Sequence, residues 1–150
     1  MKRLLLTLIA VSTMLSFSGC GRDEKTAIEE FKKDVTATKT WMDAKKASAD
    51  VDPIAGVKEM ATKLKAIKTD GLPADLKDPW NTLVGGVDKM VALMGSMPKD
   101  PAEMAKNPDG MKDFMTKMSA IEAEVKPATE KLAAAGKKYG IDGIEGFGPK

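Results

Sequence analysis

Methionine carries the most distinctive chemistry in this 150-residue chain. Two triplets share one spacing: Met90, Met94 and Met97, then Met111, Met115 and Met118. Intervals of four and three residues put each triplet on one helix face, at about 100° per residue. Thioether sulfur is a soft ligand, suited to Cu(I) or Ag(I) rather than to hard cations. The same side chain is a flexible gap-filler in apolar cores and an adaptable contact for a partner's apolar segment. Core packing, a partner groove and a copper(I) site are therefore all open for these six residues. The other residue types narrow the field. Histidine is absent, which removes Ser-His and Cys-His catalysis, the usual zinc sets and the Glu-x-x-His pairs of carboxylate di-metal bundles. Glu29, Glu30 and Asp34 crowd a helix start, and Glu122 and Glu124 lie among lysines as a solvated face does. Gly143, Gly146 and Gly148 have no strand before them and no helix after, so they form no phosphate loop. No pattern assembles an active site, and a protein that is not an enzyme, without a resident cofactor, is expected.

The single cysteine, Cys20, follows a distinctive leader. Lys2 and Arg3 precede an apolar run from Leu4 to Phe17, closed by the small residues Ser18 and Gly19. That is the order of a secretory signal, and the run falls short of the roughly 20 apolar residues that span a bilayer. Small residues directly before the cysteine resemble the lipobox of bacterial lipoproteins, with Phe17 where that family usually has Leu. The resemblance implies loss of residues 1–19 as a signal peptide, acylation of Cys20, and anchoring to a membrane outside the cytoplasm. Gly21, in place of the Asp that retains such proteins at the inner membrane of enteric bacteria, favours the outer membrane facing the periplasm. One lipidated cysteine leaves no disulfide, so packing alone must hold the fold. The formal charge of +2 comes from Lys2 and Arg3; the 131 residues from Cys20 onward balance at 22 basic and 22 acidic side chains. The charges are interleaved, so no electrostatic footprint for nucleic acid exists.

Positioning the methionines requires helices, and the hydrophobic spacing supplies four. Residues 20–23 form a short tether. A first helix from about Glu24 to Ala49 carries Ile28, Phe31, Val35 and Met42 on one face, with Trp41 at its flank. Asp52-Pro53 starts a second, with Ile54, Val57, Ala61, Leu64 and Ile67 inward and Gly71 placed to end it in a left-handed conformation. Asp78-Pro79 starts a third, which carries Trp80, Leu83, Val87 and the first Met triplet. Gly85-Gly86 within it costs helix propensity and points to a close helix neighbour. Pro98, Pro101 and Pro108 mark a connector with one helical turn at Asp100-Pro101 and with Met104 in its loop. Asp109 caps a fourth helix, whose stripe runs from Met111 through Ile121 and Val125 to Tyr139 and which Pro127 should kink. Residues 140–150 read as a loosely ordered Gly-rich tail, with Ile141, Ile144 and Phe147 able to dock back.

The expectation is an all-α, antiparallel four-helix bundle over residues 24–139. If the last two helices are antiparallel, Met97 lies level with Met111, Met94 with Met115 and Met90 with Met118. A Trp after Asp-Pro and the Ala-rich stretch Ala128 to Ala135 resemble the cytochrome c′ and cytochrome b562 bundles. That resemblance implies haem, yet Gly136-Lys137-Lys138-Tyr139 offers neither the cysteine nor the histidine that the group uses. The function expected is a membrane-anchored binding or structural module with a protein partner, the alternatives being a Cu(I) or Ag(I) carrier and a haem-binding electron carrier with Met ligands. Trp41, Gly85 and Gly86 are candidate interface residues, including for a homodimer.

Overall fold

The computed structural model of the chain describes residues 22–46, 53–98 and 107–147. Over these it is an all-α four-helix bundle: α1 (Glu24–Lys46), α2 (Pro53–Ala66), α3 (Ala74–Gly95) and α4 (Pro108–Tyr139), followed by a 3₁₀ turn at Ile144–Phe147. The leader, Cys20, Asp52, Met104 and the Asp100-Pro101 turn lie outside the described residues.

Local chemistry sets each start. Asp23 accepts from the backbone N–H of Thr26 and caps α1. Pro53 opens α2 at the position where a missing N–H costs nothing. For α3 the expected start at Asp78-Pro79 is wrong: the helix begins at Ala74, and Pro79 sits inside it. Pro73 precedes the first turn, and its carbonyl accepts from the N–H groups of Leu76 and Lys77. Burial decides the matter, because Leu76 is fully enclosed and Leu72 nearly so, which pulls this turn onto the body. A proline in the second turn gives up one backbone bond, and core contacts outweigh that loss. The expected cap of α4 also moves, from Asp109 to Asn107, whose side-chain oxygen accepts from Gly110 N–H at 2.8 Å with Pro108 as the first helical residue. Gly71 is left-handed at φ 80, but α2 has already ended at Ala66, so the glycine bends the connector rather than the helix end.

Specific contacts fix the directions. Lys45 pairs with Glu59, and the Lys63 ammonium lies 5.0 Å from the Trp41 ring, so α2 runs back along the second half of α1. The connector then follows the first half of α1, burying Ile67 and Leu72 and bringing Gly71 against Arg22 and Ala27. From there α3 packs along α2, where Lys65 meets Asp88, and its Trp80 reaches Phe31 of α1 edge-on at 5.0 Å. Contacts between Asp75 and Lys138, Gly86 and Val125, and Lys89 and Glu124 make α4 antiparallel to α3. At Gly86 an added Cβ would come within 2.1 Å of Val125, so the glycine permits the close approach of α3 and α4.

The tail is part of the core: it is no loose arm, and Ile141, Ile144 and Phe147 dock back onto the body. Gly140, at φ 64, turns the chain back after α4, and Ile141 N–H donates to the Gly136 carbonyl at 2.8 Å. Ile141 and Ile144 are each 2% exposed. Ile144 packs over Gly136, where a Cβ would stand 2.3 Å from its methyl group. Phe147 meets the Trp80 ring edge-on at 5.7 Å, and Gly143 abuts the Lys39 stem of α1. Trp80 is thus held between two T-shaped aromatic contacts, each contributing roughly 0.5 to 1.5 kcal/mol beyond its buried area.

Candidate functional site

Among the described residues, burial is confined to one end of the bundle. The enclosed residues run from Ala27 to Thr38 on α1, Ala61 to Ile67 at the end of α2, Leu76 to Val87 on α3 and Ile121 to Gly136 on α4, with the tail. Past the layer of Thr38, Ala61, Val87 and Ile121, no described residue of the four helices is fully buried. The apolar stripes continue regardless. Met42, Val57, Met90, Val91, Leu93, Met94, Met97, Phe114 and Met118 are all half-buried, while Ile54, Met111 and Met115 are 37%, 39% and 61% exposed. This open, methionine-rich end is the candidate site.

Helix termini shape its middle. Ser96 ends α3, its hydroxyl donating to the Leu93 carbonyl at 2.7 Å, and the Asn107 cap begins α4 beside it. Between them lies a cleft of about 250 Å³ that includes Leu93, Met97, Asn107, Met111 and Phe114 in its lining. Of the six methionines, Met97 and Met111 share this cleft, while Met115 is turned to solvent. Met90, Met94 and Met118 are half-buried on the adjoining turns. Helix rotation accounts for the difference. Met115 lies about 80° around α4 from Val125, and Phe114 lies within about 20° of it, so Phe114 faces inward and Met115 does not.

Three ion pairs lie around this end. Lys117 pairs with Asp113 at 2.6 Å, Lys65 with Asp88 at 2.8 Å and Lys89 with Glu124 at 2.5 Å. Exposed pairs of this kind contribute about 0 to 1 kcal/mol each. Their neutrality leaves apolar and thioether contact as the chemistry that the surface offers. Among the described residues no group of three or more His, Cys, Asp or Glu side chains is placed to hold a metal ion, and no buried side-chain nitrogen or oxygen lacks a hydrogen-bond partner. No helix there is long and apolar enough to cross a membrane.

The other candidate residues take distinct places. Trp41 is half-buried, with the ammonium groups of Lys63 and Lys45 at 5.0 and 5.7 Å from its ring. Gly86 is enclosed against α4, whereas a Cβ on Gly85 would meet nothing within 4 Å. Sequence reasoning missed a polar cluster at the closed end. The Asp75 carboxylate accepts from Lys138 at 2.6 Å and from the Tyr139 hydroxyl at 2.9 Å. The Lys138 hydrogen bond, aided by that of Tyr139, holds the Asp75 carboxyl below its usual range. Lys138 in turn is raised, first by its hydrogen bond to Asp75. No local pattern joins residues 63 positions apart, so only the register of α3 on α4 reveals this cluster. No family model, curated protein or solved structure matches the chain.

Proposed function

We propose that this chain is a bacterial lipoprotein, tethered through Cys20 to a membrane outside the cytoplasm. Its helical bundle acts as a non-enzymatic binding module, and the methionine-rich end is the binding surface. One observation carries the reading: among the described residues, the core is complete at the end where α1 begins and stops short at the other. The tether enters α1 at Glu24, beside Gly71, Ala27 and the other enclosed residues. The open end lies beyond the far half of α1, about 35 Å away at 1.5 Å per residue for a helix of 23 residues. A protein anchored at its closed end holds its apolar, adaptable end out from the lipid. Two arms test the two parts. Fatty-acid labelling should mark the wild-type chain and not Cys20→Ala; label in the variant, or none in the wild type, removes the anchor. An anilinonaphthalene dye should bind the full chain and be lost on combining Met111→Glu with Phe114→Glu, while Lys137→Glu changes nothing. Dye binding that ignores the paired substitution removes the surface.

The Cu(I) or Ag(I) reading is retained because Met97 and Met111 share one cleft, and paired thioethers suit a soft ion. Titration with Cu(I) under reducing conditions separates the two. Near-stoichiometric uptake that Met97→Leu and Met111→Leu both abolish would establish the metal site. Absence of uptake would leave the cleft as an apolar contact.

A further inference from the structure

A second recess lies at the closed end, between α3 and α4: an open groove of about 610 Å³. Pro79, Ala128 and Ala135 form its buried floor. Asp75 and Asp78 stand on the α3 wall, and Lys131 and Lys138 on the α4 wall. Asp75 and Lys138 pair across one end at 2.6 Å, and Lys89 and Glu124 pair across beyond the other at 2.5 Å. Between these two pairs, Asp78 and Lys131 line opposite walls and join no ion pair among the described residues. Apart from Glu124, which lines the α4 wall and is met by Lys89, the α3 wall is acidic and the α4 wall basic, which makes this face complementary to itself.

We propose that the groove is the contact face of a parallel homodimer, its twofold axis running along the groove. Rotation about that axis lays α3 of each copy over α4 of the other at the same height. Asp78 then meets Lys131 of the partner subunit twice, supplying the partner that neither has among the described residues. The two cross-groove pairs become clusters of alternating charge. An antiparallel stacking would instead set α3 on α3 and Lys131 against its own copy. Between the Asp75–Lys138 and Lys89–Glu124 pairs the groove spans about 21 Å at 1.5 Å per residue, so a face two helices wide, each about 10 Å across, covers roughly 420 Å² per copy and about 840 Å² in all, the size of a weak, reversible contact. The parallel arrangement also leaves both chain starts on the same side, as two tethers in one membrane require, but the charge pairing stands without the tether.

Sedimentation equilibrium of the full chain in detergent tests the proposal through a charge swap. Asp78→Lys and Lys131→Asp should each raise the dimer dissociation constant about tenfold or more, and the two together should return it to within about threefold of wild type. Both positions are exposed, so circular dichroism should report an unchanged fold in all three variants. Dimerisation in which the single variants match wild type, or in which the combined variant is no tighter than either, overturns the pairing. A wild-type chain that stays monomeric to about 1 mM overturns the dimer. Rescue by the swap in a protein that takes up no fatty-acid label would keep the dimer and remove only the anchor.

Discussion

Replacing Ile144 and Ile54 by alanine separates the closed end of the bundle from the open one with a single kind of change. Ile144 is 2% exposed, packed over Gly136 at the junction of α4 and the tail, whereas Ile54 is 37% exposed in the first turn of α2. Truncating a buried isoleucine costs the transfer of its methyl and methylene groups plus the cavity left behind, about 2 to 5 kcal/mol. The site is closed on one side by the α4 backbone and cannot easily collapse, so about 3 kcal/mol is the central figure. At roughly 2.1 cal/mol/K per residue, the 112 described residues unfold with about 0.24 kcal/mol/K, which turns 3 kcal/mol into a fall in Tm of about 13 °C. Ile54→Ala removes less buried area, leaves no enclosed cavity and gains helix propensity, so its Tm should move by less than about 3 °C. Melts followed by circular dichroism and by tryptophan fluorescence report both variants. Equal shifts for the two, or a fall below about 4 °C for Ile144→Ala, would refute a core that is closed by the tail and open at the methionines.

Gly86→Ala should lower stability by about 1 to 3 kcal/mol, because its Cβ would come within 2.1 Å of Val125. Gly85→Ala meets nothing and should raise stability by about 0.5 to 1 kcal/mol in denaturant titrations; equal signs would contradict the packing of α3 on α4. Asp75→Asn should lower Tm by a constant amount from about pH 5 to pH 9. That difference should shrink as pH falls below the usual 3.8, since a carboxyl whose folded pKa is lowered stabilises above its unfolded value and loses this as it protonates. A difference that persists unchanged at pH 2 would show the cluster to act otherwise. Met94→Leu should cost under about 1.5 kcal/mol and Met115→Leu, at the solvent face, under about 0.5 kcal/mol; a larger loss at Met115 in thermal melts would place it in a packed contact.

Helical spacing made the four elements legible because an apolar stripe at 3.6 periodicity leaves few alternatives. It could not show how far along each stripe the burial extends. Met94 and Leu83 read alike in sequence, yet Leu83 is 1% exposed and Met94 only half-buried. The difference lies in which neighbours stand at that height. Element starts failed where tertiary burial overrode the punctuation: Asp78-Pro79 looks like an opening, but Leu76 has a place in the core. The tail was misjudged for its glycines. Gly140 and Gly143 read as looseness, whereas they let the chain reverse and Lys39 approach the backbone, as Gly136 within α4 does for Ile144. The α3–α4 groove and the Asp75 cluster depend on helix register, which no local pattern encodes.

Closure of the core by residues 141–147 bears on the order in which the molecule can form. Lys39 and Gly143 touch, as do Trp80 and Phe147, so first helix and last turn meet across more than a hundred residues of chain. Contacts of such separation are slow to form, since the intervening loop must close before they can stabilise anything. Helices α1 to α3 emerging from a ribosome therefore lack the piece that covers Trp80, and the nascent chain stays short of its native state until its final turn is made.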